Sequence, residues 1–458
     1  MKSREFLRIS GATPKNFRGS IRLPPSKSYL HRALFVASLC EGESKVYCER
    51  FDFSDDIAAT IRVLSRLGVE VRLDRKVIRV MPGILSASTE PIFVGGSGTS
   101  ARFAISFAAL AKSGRSTIIG DDSLSRRPMQ PLLDALTLLG AKCYSKGADG
   151  RLPVVVEGGG MKGGECLIDG SISSQFISSL LIACTRAEKQ CTIQVVNPSR
   201  LVSEPYIEAT LAVLKRFGFS IHSNASNTKF QVNGNQTITA KSFRVPGDMS
   251  SAASLIAAAI ASRGKVKLNG INMRLPQSDS VFLKIARKFG ATITQSKDSV
   301  TVQTRMKNLE GGTMRLDMKH SPDLVPIVAG LAAATAASKV QITNVGHLRF
   351  KESDRLRTIS TELRKLGIRT KETKTSVTVC AASLKRGVTS SRKPILLDPE
   401  SDHRIMMALT VAGISGRFGE VLISEPACVS KSYPNFIPDI QRLLHQRDLL
   451  KIVRREES

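Results

Sequence analysis

Tryptophan is absent from this chain of 458 residues, and aromatic residues make up only 5% of it. Sequence-tolerant nucleic-acid binding uses aromatic faces interleaved with cations, so this scarcity weighs against it. The eight cysteines, at positions 40, 48, 143, 166, 184, 191, 380 and 428, form no Cys-x-x-Cys pair and no Cys/His cluster with zinc spacing. Buried, reduced thiols and no metal or other cofactor are expected. Long hydrophobic runs are missing too. The most apolar stretches, Ala252–Ala261 and Leu324–Ala337, fall short of the ~20 residues that span a bilayer and read as buried helices. The opening MKSREFLRISG has no apolar run followed by a small-residue cleavage site, so a cytoplasmic location is expected. Acidic residues are scarce: 39 Asp and Glu against 67 Lys and Arg leave a net charge of +28. Such a surplus fits either a nucleic-acid surface or a site for anionic small molecules. The cations are spread along the chain without a long basic block, which favours the second reading. The surplus nevertheless exceeds what a small site needs.

The length calls for two or three domains, and the composition suits an Ala- and Leu-rich α/β protein. One segment recurs: an amphipathic helix, a glycine, then a short β-rich run. Its glycines are Gly68, Gly140, Gly218, Gly290 and Gly367, at intervals of 72, 78, 72 and 77 residues. Five copies at a near-constant period indicate an internal repeat. The length leaves room for a sixth, less regular copy, assembled from the N-terminal segment and the region after Ser391. A copy split between the termini places residues 1–25 with 245–458 in a discontinuous lobe and residues 26–244 in a middle lobe. The crossings fall near Pro24–Ser26 and Val245–Gly247, both rich in Pro or Gly. A cleft between two lobes is a usual substrate site, and two thin connections would let the lobes close over it.

The most informative stretch is RFKESDRLRTISTELRKLG, residues 349–367. Leu356, Ile359, Leu363 and Leu366 share one helical face. Ser353 or Asp354 can cap its start, and Gly367 stands where a left-handed residue ends a helix. Lys351, Glu352, Asp354 and Arg355 crowd both signs of charge before that helix, where backbone N–H groups favour anions. Alone, such a cluster is more often a solvated, self-neutralising face. Similar polar edges recur, however. Lys27, Ser28 and Arg32 lie in LPPSKSYLHRA, and Gly98 and Arg102 in GGSGTSARF, which is neither a P-loop nor a dinucleotide fingerprint. Arg126 and Arg127 precede Pro128, which reads as a first-turn helix residue. Ser173, Ser174 and Gln175 precede an apolar helix, and LVSEPYI holds Ser203 and Tyr206. Asp248 reads as a structural N-cap. Asp323 follows a Ser-Pro start, Asp402, His403 and Arg404 head another helix, and Lys431 lies in VSKSYPNF.

This set, in this order, resembles the 5-enolpyruvylshikimate-3-phosphate synthase family, the enolpyruvyl transferases of the shikimate pathway. The likeness runs from about Ile21 to Ile440 and rests on PSKSxxHRA, GSGTSAR, RRPMxxLxDAL, GSxSSQF, LVSxPYI, GDxSSA, PDLVP, RFKESDRL, DHRIMMA and SKSYPNF. It implies a two-lobed inverse α/β barrel, each lobe three βαβαββ units around a pseudo-threefold axis, with the site in the cleft. It implies a transfer of the enolpyruvyl (carboxyvinyl) group of phosphoenolpyruvate to the 5-hydroxyl of shikimate 3-phosphate, with release of phosphate. Two phosphates and two carboxylates in a closed site need many cations, preferably Arg forks, and Lys27, Arg32, Arg127, Lys351, Arg355, Arg404 and Lys431 supply seven.

By motif match, Lys27, Ser28, Arg32, Ser173, Ser174, Gln175, Ser203, Tyr206, Asp323 and Lys351 would hold shikimate 3-phosphate. Lys27, Gly98, Arg127, Gln175, Arg355, Arg404 and Lys431 would hold phosphoenolpyruvate. The resemblance makes Asp323, Glu352 and Lys27 the proton-transfer groups of an addition–elimination, and it implies inhibition by glyphosate in competition with phosphoenolpyruvate. A monomer with no membrane or specific nucleic-acid partner is expected. Two positions depart from the family. Gly96 stands where Asn is frequent, and His347 where some members have Asn that contacts shikimate. The rival transferase, acting on UDP-N-acetylglucosamine, typically has a reactive Cys where this chain reads DDSLSRRP. A basic nucleic-acid-binding protein on a decayed transferase scaffold would not keep Lys27, Asp323, Glu352 and Arg355 together.

Overall fold

The computed structural model describes residues 3–14, 16–304, 312–336, 339–381 and 393–456. Ala337, which ends the second apolar run, and Ser391 lie outside them. The chain divides into two compact units. The middle unit is Pro25–Pro246 with Arg274–Gln277, and the split unit is Met1–Pro24, Gly247–Met273 and Ser278–Ser458. The short return of Arg274–Gln277 to the middle unit is anchored by the Tyr29 hydroxyl, which donates to the Pro276 carbonyl at 2.8 Å.

The helices of the middle unit are α1 (Lys27–Ala37), α2 (Asp55–Arg66), α3 (Gly98–Ala108), α4 (Asp122–Ser125), α5 (Gln130–Leu138), α6 (Gln175–Ala183) and α7 (Pro205–Phe217). Those of the split unit are α8 (Met249–Ala261), α9 (Phe282–Lys288), α10 (Val325–Thr335), α11 (Arg355–Lys365), α12 (His403–Gly413) and α13 (Phe436–Leu444).

Among the described residues, six four-stranded sheets share one pattern, in which the first two strands are parallel and the remaining pairings antiparallel. In one of them the order across the sheet is Ile92–Phe93, Arg115–Ile119, Val154–Glu157, Lys142–Ser145. Along the chain this reads strand, α3, strand, α5, then a hairpin, which is a βαβαββ copy. Two copies are completed by distant strands. Ser242–Arg244 lies parallel to Ser44–Tyr47 in the middle unit, and Arg18–Arg22 parallel to Lys265–Asn269 in the split unit. The sixth copy runs Ile395–Leu397, α12, Val421–Ser424, α13, Leu450–Glu456, and its inner hairpin strand is the N-terminal Ser3–Ile9. Its helix ends on His445, left-handed at φ 51°, 78 residues after Gly367. The repeat continues there with a non-glycine residue, which hid it from a glycine pattern.

The first helix of each copy in the split unit is apolar on every side. Nearly all of α8, α10 and α12 is buried, as expected of helices packed on one another rather than on water. A Cβ on Gly330 of α10 would sit 2.4 Å from the Ala408 carbonyl of α12, so the two backbones touch where a side chain would separate them. In the middle unit, Phe35 of α1 meets Phe103 and Phe107 of α3 edge-on at 5.2 and 4.6 Å. The second helices are amphipathic. On α11, Leu356, Ile359, Leu363 and Leu366 are buried, and Asp354 caps it by accepting from Arg357 N at 3.1 Å.

One boundary differs from expectation. Pro128 precedes α5 rather than opening it. The Met129 N–H donates outside the helix, to Gly150 O, and Pro131 takes the first turn instead.

Gly290 ends α9 with φ +83°, and no heavy atom lies within 4 Å of where a Cβ would stand. Gly290→Ala should therefore lose only the backbone preference, about 1 kcal/mol. A lower urea midpoint with an unchanged slope would show this, and an unchanged midpoint would count against it.

Candidate active site

Each functional stretch enters a helix by its N-terminus, and each unit gathers several of these ends. In the split unit the centre is Arg355, first residue of α11 and 1% exposed. Its Nε donates to Asp402 Oδ2 at 2.8 Å, Nη1 to Asp323 Oδ1 at 2.9 Å and Nη2 to Glu352 Oε2 at 2.8 Å. Burial alone would lower its pKa, but the three carboxylates, Asp402 foremost, raise it above the ordinary guanidinium value. Asp402 is fully buried; it caps α12 by accepting from Arg404 N at 2.9 Å and accepts from the Ser353 hydroxyl at 3.1 Å. Arg404 donates from Nη2 to Asp323 Oδ2 at 3.2 Å. Asp323 thus bridges two guanidiniums, one oxygen to each. Lys431 Nζ lies 3.9 Å from Glu352 Oε1. The helix entrances of α10, α11 and α12, and the turn bearing Lys431, therefore bring five expected residues together: Asp323, Glu352, Arg355, Arg404 and Lys431. Lys351, half-buried, follows the short helix Gly346–Phe350. His347 in that helix is buried, and burial, then Lys351, lowers its pKa to about 3. The imidazole is neutral, and its Nε2 is buried without a hydrogen-bond partner.

The middle unit holds two linked groups. Lys27, first residue of α1, donates to Asp56 Oδ2 of α2 at 2.6 Å. Gly98, first residue of α3, lies under a cluster formed by the side chains of Arg102, Arg127 and Gln175. A Cβ there would be 2.8 Å from Arg102 Nη1 and 3.4 Å from both Arg127 Nη1 and Gln175 Oε1. Gln175 is fixed at both ends of its amide: Oε1 accepts from Arg102, and Nε2 donates to Thr99 at 3.0 Å. Arg102 also stacks on Phe176, 4.8 Å from the ring centroid. Arg127 Nη2 donates to the Ser123 hydroxyl at 3.2 Å.

Arg32 sits deeper. Its guanidinium donates to Thr210 at 2.7 Å, Ser28 O at 2.8 Å, Ser178 at 3.1 Å and Tyr206 O at 3.0 Å, and burial lowers its pKa to about 10. Arg32 thereby ties α1 to the entrance of α7, where Tyr206 and Ser203 lie. Ser203 is left-handed at φ 57°, a sparsely populated state for serine, and its carbonyl accepts from Tyr206 N at 3.1 Å. Ser173 and Ser174 are buried ahead of α6, and Ser173 Oγ accepts from Gln175 N at 3.3 Å. Sequence reasoning did not single out Asp56, which accepts from Lys27, or Thr210 and Ser178, which accept from Arg32.

Chemically, these clusters offer fixed guanidiniums and ammoniums for anions, with carboxylates within hydrogen-bond reach of the same cations. The family sequence model for EPSP synthase (3-phosphoshikimate 1-carboxyvinyltransferase) matches residues 12–440. A protein of Korarchaeum cryptofilum named 3-phosphoshikimate 1-carboxyvinyltransferase is 37% identical over 433 residues, 94% of this chain and 97% of its own. One of the same name from Methanococcoides burtonii is 39% identical over 428 residues, 93% and 95% of the two chains. The fold is similar to that of an EPSP synthase structure from Acinetobacter baumannii, with TM-score 0.75 and 24% identity over 99% of this chain and all of that one. Mixed α/β architecture, helix-entrance clusters and whole-length similarity agree, and the chain belongs to the EPSP synthase (3-phosphoshikimate 1-carboxyvinyltransferase) family.

Proposed function

We propose that the chain transfers the enolpyruvyl group of phosphoenolpyruvate to the 5-hydroxyl of shikimate 3-phosphate and releases phosphate, a step of the shikimate pathway toward chorismate and the aromatic amino acids. The observation that carries this reading is the Arg355 cluster, in which two buried guanidiniums share Asp323 while Glu352 lies beside Arg355 and Lys431.

In the proposed reaction the 5-hydroxyl attacks C2 of phosphoenolpyruvate as a proton goes to C3, and the tetrahedral ketal then returns a proton from the C3 methyl to the group that supplied it as the C2–O bond breaks and phosphate leaves. Asp323 takes the hydroxyl proton. Both of its oxygens accept from guanidiniums, which orient the carboxylate. Glu352 delivers the proton to the methylene carbon, assisted by Lys27. Arg355, Arg404 and Lys431, with Arg127, Gln175, Lys27 and the backbone at Gly98, hold phosphoenolpyruvate and meet the charge that develops on it. Lys27, Ser28, Arg32, Ser173, Ser174, Gln175, Ser203, Tyr206, Asp323 and Lys351 hold shikimate 3-phosphate. The neutral His347, with a buried Nε2 to offer, takes the part that Asn plays in some relatives. The protein acts as a cytoplasmic monomer without cofactor, membrane or specific nucleic-acid partner. The direct test is phosphate release from phosphoenolpyruvate that requires shikimate 3-phosphate; release without it, or none with both, refutes the reading.

Glyphosate should compete with phosphoenolpyruvate. Gly98→Ala places a methyl against the movable end of Arg102 and in contact with Arg127 and Gln175. Overpacking of about 1–2 kcal/mol, or roughly 5- to 30-fold, should appear in the inhibition constant, with a smaller rise in KM for phosphoenolpyruvate. Equal inhibition constants in wild type and variant would remove Gly98 from the site.

A further inference from the structure

Asp279 lies in the 3-10 turn Ser278–Val281 that leads into α9. It is 3% exposed. Its Oδ2 accepts from the Ser250 hydroxyl in the first turn of α8, while Oδ1 is buried with no hydrogen-bond partner among the described residues. The turn is fastened to the entrance of α10. The Ser278 hydroxyl donates to His320 O at 2.5 Å and lies 2.8 Å from that of Ser321, which in turn donates to Ser278 O at 3.1 Å. The charged groups facing Asp279 are Asp248 at the cap of α8, Asp323 ahead of α10 and Arg404 on α12. Lys284, Arg287 and Lys288 of α9 are exposed. Arg404 in turn faces Asp323, Asp248 and Asp279, and its Nε is buried without a hydrogen-bond partner among the described residues. An unused carboxylate oxygen and an unused guanidinium N–H, both buried, cost stability. Folding alone gives no reason to keep them.

We propose that Asp279 is a positioning residue for Arg404, and that its protonation sets how much of the Arg404 charge is left for the phosphoenolpyruvate anion. This rests on the assignment of Arg404 to that anion made above. Burial, and then Asp323, push the Asp279 carboxyl up to about 7. Above that pH three carboxylates share Arg404, and an incoming anion meets more negative charge; below it only Asp248 and Asp323 do. By reciprocity, binding of the anion favours protonated Asp279, so substrate binding takes up a proton.

The test uses the full chain and phosphate release as the assay. In the wild type, KM for phosphoenolpyruvate should rise several-fold between about pH 6 and about pH 8, either side of the Asp279 titration. Asp279→Asn keeps the acceptor for Ser250 and should hold KM near its low-pH value throughout, with the pH profile of kcat unchanged. Ser250→Ala removes the bond that favours the ionised carboxylate and should move the rise in KM to higher pH. Thermal unfolding without substrate gives a second reading. A carboxyl raised from about 3.9 in the unfolded chain contributes stability that is complete below that value and lost as pH rises through about 7. The wild-type melting temperature, minus that of Asp279→Asn, should therefore fall across that window. A variant whose KM follows pH as the wild type does, or a flat melting difference, overturns the inference and leaves the activity standing. Absence of phosphate release in the wild type refutes the activity instead, and the melting comparison still decides whether Asp279 titrates there.

Discussion

Turnover of Asp323→Asn is expected to fall by roughly 10²-fold or more, the scale of a lost general acid or base, and Glu352→Gln should do the same. Asp323 accepts from Arg355 and Arg404 with different oxygens, which holds the carboxylate in one orientation. An amide preserves that shape but cannot take the hydroxyl proton. Glu352 is held by Arg355 at 2.8 Å, and its amide counterpart cannot deliver a proton to carbon. The cations proposed to hold the substrates remain in both variants, so KM values should stay within a few-fold while kcat falls. Stopped-flow phosphate release with binding titrations of both substrates separates the two effects. Full turnover in either variant, with a wild-type melting temperature, would take that residue out of the chemistry.

Arg355→Met should destabilise the split unit by about 3–5 kcal/mol, the cost of removing one partner from a buried ion pair. Arg355 is the cation hydrogen-bonded to the fully buried Asp402. Without it, Asp402 keeps the Ser353 hydroxyl and the Arg404 N–H but loses its guanidinium partner in a fully buried position. Asp402→Asn in the same chain should recover much of the loss, since the amide oxygen can still cap α12 while the stranded charge is gone. Denaturant unfolding of the two single variants and the double variant gives the coupling energy directly. Additive losses would mean that the Arg355–Asp402 bond is not what holds this turn.

The repeat, and with it the six-copy α/β plan, was readable because glycines close five helices: Gly68, Gly140, Gly218, Gly290 and Gly367 all have positive φ, which excludes most side chains. The sixth copy escaped a glycine search because His445 occupies the same left-handed position. The apolar face of α11 and its cap at Asp354 were also legible, since both follow from spacing along one helix. So was the bunching of polar residues at helix entrances, because unpaired N–H groups there call for oxygen atoms and anions.

Partnerships were a different matter. Asp56 lies 12 residues before Gly68, Tyr206 12 before Gly218, Arg355 12 before Gly367 and Asp279 11 before Gly290. An offset of 11 or 12 could have placed Asp56 and Asp279 at helix entrances, yet it could not say that Lys27 meets Asp56 or that Asp279 is left with an oxygen unbonded among the described residues. Arg32 shows the limit most clearly. In the sequence it is one more cation near a helix start; folded, it spends four N–H groups on Ser28, Ser178, Tyr206 and Thr210. Local periodicity depends on neighbours three or four residues away and can be read along the chain. Which charges neutralise one another, and which stay buried and unsatisfied, depends on contacts between residues tens to hundreds of positions apart, and only the packing of α1 on α7, or of α10 on α12, decides that.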